Sequence, residues 1–237
     1  MDVELKEQIE ENYEYVRQTI REVCGRCGRD PEDITIVAVT KTHPPELVET
    51  ALGSGINHIG ENKIQEAEDK AGTVKQNNGT FHFIGHLQTN KAKKAVEIFD
   101  MVQSIDSVKI ARRLSDKCVE AGKVMDSLVQ VNCSGEESKF GFPPDKLLEA
   151  VEEIKDLRGL NIQGLMTIGP FVDDENQIRD DFSRTRELYE QMRGRYPQLD
   201  IKHLSMGMTN DYAIAIEEGS NMVRLGTVLF GPRNVNK

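Results

Sequence analysis

The stretch Ile34–Lys41 reads ITIVAVTK, a buried strand that ends in a lysine just ahead of Thr42-His43-Pro44-Pro45. Alternation puts Ile34, Ile36, Ala38 and Thr40 on one face and Thr35, Val37, Val39 and Lys41 on the other. Both faces are largely apolar, which suits a parallel sheet covered on both sides. An amine at the carboxyl end of such a strand is partly desolvated, which disfavours the ammonium form. A neutral amine there is a nucleophile for carbonyl compounds through a Schiff base. The plainer alternative is a lysine whose head reaches water while its stem covers apolar surface.

Other strand ends carry polar groups too. Asn62 follows Gly60-Glu61 and shares parity with Ile56 and His58, so its amide points inward if the strand extends that far; otherwise it caps a helix. In FHFIGH, His82 and His86 share a face but lie roughly 13 Å apart along a strand, too far for one metal ion. His86, at the mouth, is the better ligand contact. Gln130 and Asn132 share the face of Leu128, and Lys139 lies in the loop beyond as either an anion or aldehyde site or a solvated side chain. LSMGMTND and RLGTVLFG are small, hydroxyl-bearing loops that open onto helices, where unpaired backbone N–H groups favour a phosphate. Ser205, Gly207, Thr209, Gly226 and Thr227 supply them. Arg224 alternates with Val223 and Leu225. If those two face the helices, the guanidinium faces inward and needs an acceptor, such as Glu217 or a ligand atom.

The elements that position these groups follow from periodicity. Residues 3–24 repeat apolar side chains at three-to-four spacing, an amphipathic helix that Gly25 and Gly28 stop. Strands are then expected at 34–41, 56–61, 81–85, 101–105, 127–132, 162–166, 201–205 and 222–226. Helices follow at 45–53, 62–77, 89–99, 107–121, 144–155, 175–194 and 210–218, with a short closing helix. Asp106 or Ser107 caps the helix at 107. Strict alternation of eight strands with helices predicts a parallel (β/α)8 TIM barrel with an extra N-terminal helix, one domain over residues 1–237. An open doubly wound sheet is disfavoured because no G-x-G-x-x-G follows the first strand. In such a barrel, ligands bind at the carboxyl ends of the strands, with phosphate recurrently at the loops after strands 7 and 8.

The 237 residues carry a net charge of −10, with no basic stripe, which argues against nucleic acid. No apolar run spans a membrane and no signal peptide is visible, so a cytoplasmic protein is expected. With no apolar edge left over, it is expected to be a monomer. The Cys24-Gly-Arg-Cys27 motif has no second close pair for zinc, because Cys118 and Cys133 are too far apart in sequence. Its cysteines read as reduced thiols at a helix end, and no metal site is expected.

Taken together, AVTKTHP (38–44), HIGENKIQEA (58–67), FHFIGHLQTNK (81–91), SGEESKFG (134–141), GLMTI (164–168), HLSMGMTNDYAIAIEEGS (203–220) and MVRLGTVLFGPR (222–233) resemble the pyridoxal-phosphate homeostasis proteins. These are alanine-racemase-like barrels without a second domain. The resemblance implies pyridoxal 5′-phosphate (PLP) held as an internal aldimine on Lys41. It implies phosphate contacts at Ser205, Gly207, Thr209, Gly226 and Thr227, Arg224 at the pyridine nitrogen, and Asn62, His86 and Met166 around the cofactor. CGRC is not part of that pattern.

Arginine does not give up its proton at working pH, so it cannot supply the protonated pyridine that makes PLP a strong electron sink. Racemases of this class resemble the chain but add a tyrosine base and a carboxy-terminal β domain, whereas the sequence ends eleven residues after Gly226. Tyr212 is the only tyrosine nearby and falls on a helix. The expectation is therefore a non-enzymatic protein that buffers PLP or delivers it, possible recipients being PLP-dependent apoenzymes. The alternatives are a PLP enzyme such as a weak amino-acid racemase, or a PLP-free Schiff-base aldolase on a phosphorylated sugar.

Overall fold

The computed structural model describes residues 3–136 and 138–232. Glu137 in SGEESKFG and Arg233 in LFGPR lie outside the described residues. Eight parallel strands close into a barrel, each paired with the next and the last with the first. They are β1 (Thr35–Val39), β2 (His58–Glu61), β3 (Thr80–Phe83), β4 (Met101–Ile105), β5 (Met125–Gln130), β6 (Leu160–Met166), β7 (His203–Ser205) and β8 (Met222–Leu225). The helix α1 (Val3–Cys27) precedes the barrel. Between strands run α2 (Pro45–Gly53), α3 (Ile64–Gln76), α4 (Ala92–Ile98), α5 (Val108–Glu120), α6 (Leu147–Ile154), α7 (Glu175–Arg195) and α8 (Tyr212–Glu217), and α9 (Thr227–Phe230) follows β8. Among the described residues, no helix is long and apolar enough to cross a membrane.

Each helix exists because its apolar stripe matches the sheet. On α5, Ile110, Ala111, Leu114 and Cys118 are buried at helical spacing, and the Ser107 hydroxyl accepts from the Ile110 N–H to cap the first turn. Some boundaries differ from the sequence expectation for local reasons. α1 runs through Gly25 and stops only at Gly28, whose φ of +68° is left-handed. β1 ends at Val39 because the chain turns at Thr42, which takes a positive φ of 69°. β7 is three residues rather than five, and α4 and α6 each open with a 3-10 turn, at Thr89–Lys91 and Pro144–Lys146.

The barrel interior has two characters. Val37, Met101, Leu128, Met166 and Met222 form a small apolar cluster of their own, separate from the large core between strands and helices. Val37 inside and Ala38 outside is the alternation expected for β1. Met222 inside, with Val223 and Leu225 outside, likewise turns Arg224 inward. Threaded through the methionines is a polar line. The His58 Nδ1 lies 2.9 Å from His82 Nε2, and His82 Nδ1 lies 3.0 Å from Gln103 Nε2. Gln103 Oε1 then accepts from the Ser205 hydroxyl at 2.7 Å. His82 is 1% exposed. Burial, then the neighbouring rings of His58 and His203, pull its imidazolium down to about 3.

A histidine that stays neutral in the folded chain while the unfolded one protonates near 6.5 makes folding pH-dependent. Above about 6.5 neither state binds the proton and the stability is complete. As pH falls toward 3, only the unfolded state gains it, and stability drops by about 1.4 kcal/mol per pH unit from His82. Urea unfolding at pH 7 and pH 5 should show this loss, and His82→Gln should show a smaller one. Equal losses in the two proteins would remove His82 as the source.

Candidate functional site

A cleft of about 880 Å³ opens at the carboxyl ends of the strands. Lys41, Asn62, His86, Thr209, Arg224, Gly226 and Thr227 all line it. Of the other residues singled out from the sequence, Met166 is fully buried in the barrel cluster beneath, while Ser205 and Gly207 support the floor and one wall.

Lys41 sits two residues past the end of β1, and a buried triad fixes the backbone there. The Lys70 ammonium, on α3, donates to the Thr40 carbonyl at 2.8 Å and to Glu61 Oε1 at 2.6 Å. The Thr40 hydroxyl donates to the same carboxylate oxygen at 2.7 Å. Glu61 and Lys70 are 0% and 2% exposed, so this pair is shielded from screening water. Beyond the lysine, Glu66 accepts from the Thr42 N–H at 2.6 Å and holds the left-handed turn. Glu61 and Lys70 did not stand out in the sequence. The available signal was a carboxylate at a helix-facing position of a buried strand, which demands a cation on the covering helix.

Arg224 is 4% exposed and faces inward. Its Nη1 donates to Ser205 Oγ and its Nη2 to the Thr167 carbonyl, both at 2.7 Å. Burial lowers its pKa to about 10, partly offset by Asp211, so it remains a cation at neutral pH. Glu217, which the sequence offered as its acceptor, lies outside the barrel and pairs with Arg26 and Arg179. Ser205, expected at the phosphate, accepts from Arg224 and donates to Gln103.

Asn62 is not a helix cap; Lys63 takes that place on α3. Its Oδ1 is buried with no hydrogen-bond partner, and the residue lines the cleft. The neighbouring Gly85 is required, because a Cβ there would stand 2.1 Å from the Asn62 carbonyl oxygen. His86 Nδ1 bonds to Asp106 Oδ2 at 2.6 Å, and its ring stacks on Phe140 with centroids 3.8 Å apart. His82 and His86 are separate, one inside the barrel and one at its mouth. No group of three or more metal-ligating side chains occurs among the described residues.

On the opposite wall, Gly207 takes φ +97°, and a Cβ there would meet Ala215 at 2.6 Å. The Thr209 hydroxyl accepts weakly from the Val228 N–H at 3.4 Å, tying the loop after β7 to the loop after β8. The long loop after β5 closes a third side. Gln130 and Asn132 donate to backbone carbonyls of Phe140, Glu136 and Lys139, so they shape the loop more than they meet a ligand. Lys139 is neither solvated nor loose, since it donates to Glu136 and to the Gly169 carbonyl.

A parallel barrel with a lysine at the end of β1 and an inward arginine on β8 defines a class. The chain belongs to the alanine racemase N-terminal domain family, whose profile matches residues 6–234. Within it the chain belongs with the pyridoxal phosphate homeostasis proteins. It is 39% identical to the member from Vibrio alginolyticus over 95% of this chain and 98% of that one. It is 36% identical to the member from Aquifex aeolicus over 92% and 95%. Among solved structures, PipY of Synechococcus elongatus, determined with PLP bound, is 32% identical with a TM-score of 0.83, covering 94% of this chain and all of that one.

Removing Lys70 would leave Glu61 as an uncompensated buried carboxylate beside the backbone that carries Lys41. Lys70→Met should therefore cost about 3–5 kcal/mol of unfolding free energy, read as a lower urea midpoint. A loss below about 1 kcal/mol would mean that the pair does not hold the end of β1.

Proposed function

We propose that this protein is a PLP-binding homeostasis protein that holds the cofactor at Lys41 and buffers or delivers it. The observation that carries the reading is the pairing of β1 with β8, which sends an amine and a buried guanidinium into one cleft. The residues fit the group. Lys41 would hold the aldehyde carbon. Arg224 would donate to the ring nitrogen, and the Asn62 amide, with its unpartnered oxygen, would face the polar edge of the ring. Thr209, Gly226 and Thr227 would hold the phosphate, with Gly207 allowing the loop after β7 to approach. His86 would border the ring, and Met166 would close the barrel below it.

When bound, PLP supplies an aldehyde that condenses with amines and a ring that withdraws electrons from them. The chain's own residues favour retention over chemistry. Arg224 keeps its protons, so a ring nitrogen placed there would be met by a donor that cannot transfer one. Tyr212, the tyrosine weighed as a base, is buried on α8 and does not line the cleft. The relatives are named for homeostasis and not for a reaction. A PLP enzyme such as a weak racemase remains the second reading, favoured by the His86–Asp106 pair at the cleft.

Delivery to PLP-dependent apoenzymes is supported by an apolar rim. Phe140, Phe171, Val172 and Met208 all line the cleft and are exposed, Phe171 by 92%. Such a patch at a ligand's exit suits protein contact. The closed barrel leaves no open sheet edge, which supports a monomer, and four free cysteines suit a reducing cytoplasm.

Titration of the protein with PLP should give a new absorbance band that saturates at one equivalent. Lys41→Ala should abolish the band, and neither protein should racemise alanine or serine. Sustained, Lys41-dependent loss of optical activity would favour the enzyme reading, and an unchanged band in Lys41→Ala would refute the site.

A further inference from the structure

The polar line inside the barrel ends on Arg224, and its direction can be deduced. Arginine has donors only, so Ser205 Oγ accepts from Nη1 and must send its own proton onward. That proton goes to Gln103 Oε1, which turns the Gln103 amide nitrogen toward His82 Nδ1. His82 Nδ1 is therefore bare, its proton is on Nε2, and it is donated to His58 Nδ1. Every link donates the same way, from the mouth of the barrel toward its floor. Gln103, Ser205 and His82 are 0%, 0% and 1% exposed, so water cannot substitute for a missing member.

This geometry constrains the guanidinium. Two of the five N–H donors of Arg224 are engaged, by Ser205 and by the Thr167 carbonyl, and the residue also lines the cleft. The Thr167 bond alone leaves the planar fork able to swing about one contact. The Ser205 bond fixes it, and Ser205 is itself aimed by Gln103. We propose that Gln103, kept in one amide orientation by His82, is a positioning residue that holds the Arg224 guanidinium on the ring nitrogen of the bound cofactor. The inference rests on the PLP reading above. Gln103 touches no ligand; it acts through Ser205 and Arg224.

The test compares PLP with 1-deazapyridoxal 5′-phosphate, in which a C–H replaces the ring nitrogen and Arg224 has nothing to donate to. Both are titrated into wild type, Gln103→Leu and Gln103→Glu. Wild type should bind PLP about tenfold more tightly than the deaza analogue, as expected for one hydrogen bond from a charged donor. Gln103→Leu should bring that ratio to within about twofold, chiefly by weakening PLP. Gln103→Glu in its protonated form keeps both an acceptor for Ser205 and a donor toward the bare His82 Nδ1 and should keep the ratio, which guards against a variant that merely folds badly.

A Gln103→Leu protein that weakens both ligands equally, or retains the wild-type ratio, overturns the positioning role. A wild type that binds PLP with no preference over the analogue overturns it as well, while leaving PLP binding intact. A wild type that binds neither ligand removes the proposed function and this inference together.

Discussion

The site depends on the register at which the barrel closes. β1 and β8 pair with Val37 opposite Arg224 and Ala38 opposite Leu225. Val37 and Arg224 thus both face inward, and Lys41, two residues past the end of β1, reaches the same cleft. Because side chains alternate along a strand, a slip of one residue on β8 would turn Arg224 into the helix layer and Val223 or Leu225 into the cleft. The remaining elements hold this register at both of its ends. Lys70 donates to the Thr40 carbonyl beside the lysine while Glu61 accepts from the Thr40 hydroxyl, and Ser205 with Thr167 grips the arginine.

Both grips bury charge, and burial of charge is costly unless every polar atom is matched. The two solve this differently. The Lys70–Glu61 pair neutralises its charge within the layer between strands and helices, although Glu61 Oε2 is buried with no hydrogen-bond partner. Arg224 is not paired directly with a carboxylate; it relies on neutral acceptors, with Asp211 close enough to favour the cation. A neutral cradle leaves the guanidinium able to donate into the cleft. The interior therefore alternates methionines with a single hydrogen-bonded line, in place of the all-apolar layers that fill many barrels of this kind. The arrangement would suit a protein that retains a cofactor: a ring nitrogen placed at Arg224 would face a fixed donor, and among the described residues no tyrosine lines the cleft.

Much of this was legible from period-two alternation. The inward face of β1 and the inward turn of Arg224 follow from parity, and the separation of His82 from His86 follows from the rise along a strand. What was not legible depends on how the strands tilt and the helices rotate. Glu217 lies near Arg224 in sequence, yet α8 turns it outward to Arg26 and Arg179. Ser205 has a hydroxyl in a phosphate-type loop, but curvature brings it against Gln103, 102 residues away. Lys139 was open between a ligand site and a solvated side chain, and its bonds go to Glu136 and to Gly169 of the loop after β6, while Asn132 bonds within its own loop. Gly85 read only as the end of a strand, and its role is a close approach to the Asn62 backbone.

The central claim is that the amine at the end of β1 is the covalent anchor. Borohydride reduction of PLP-loaded protein, followed by proteolysis and mass mapping, tests it most directly. The account predicts a single modified peptide, with the phosphopyridoxyl group on Lys41 and unmodified Lys70 and Lys139. Label on another lysine in preference to Lys41, or no label at all, would contradict it.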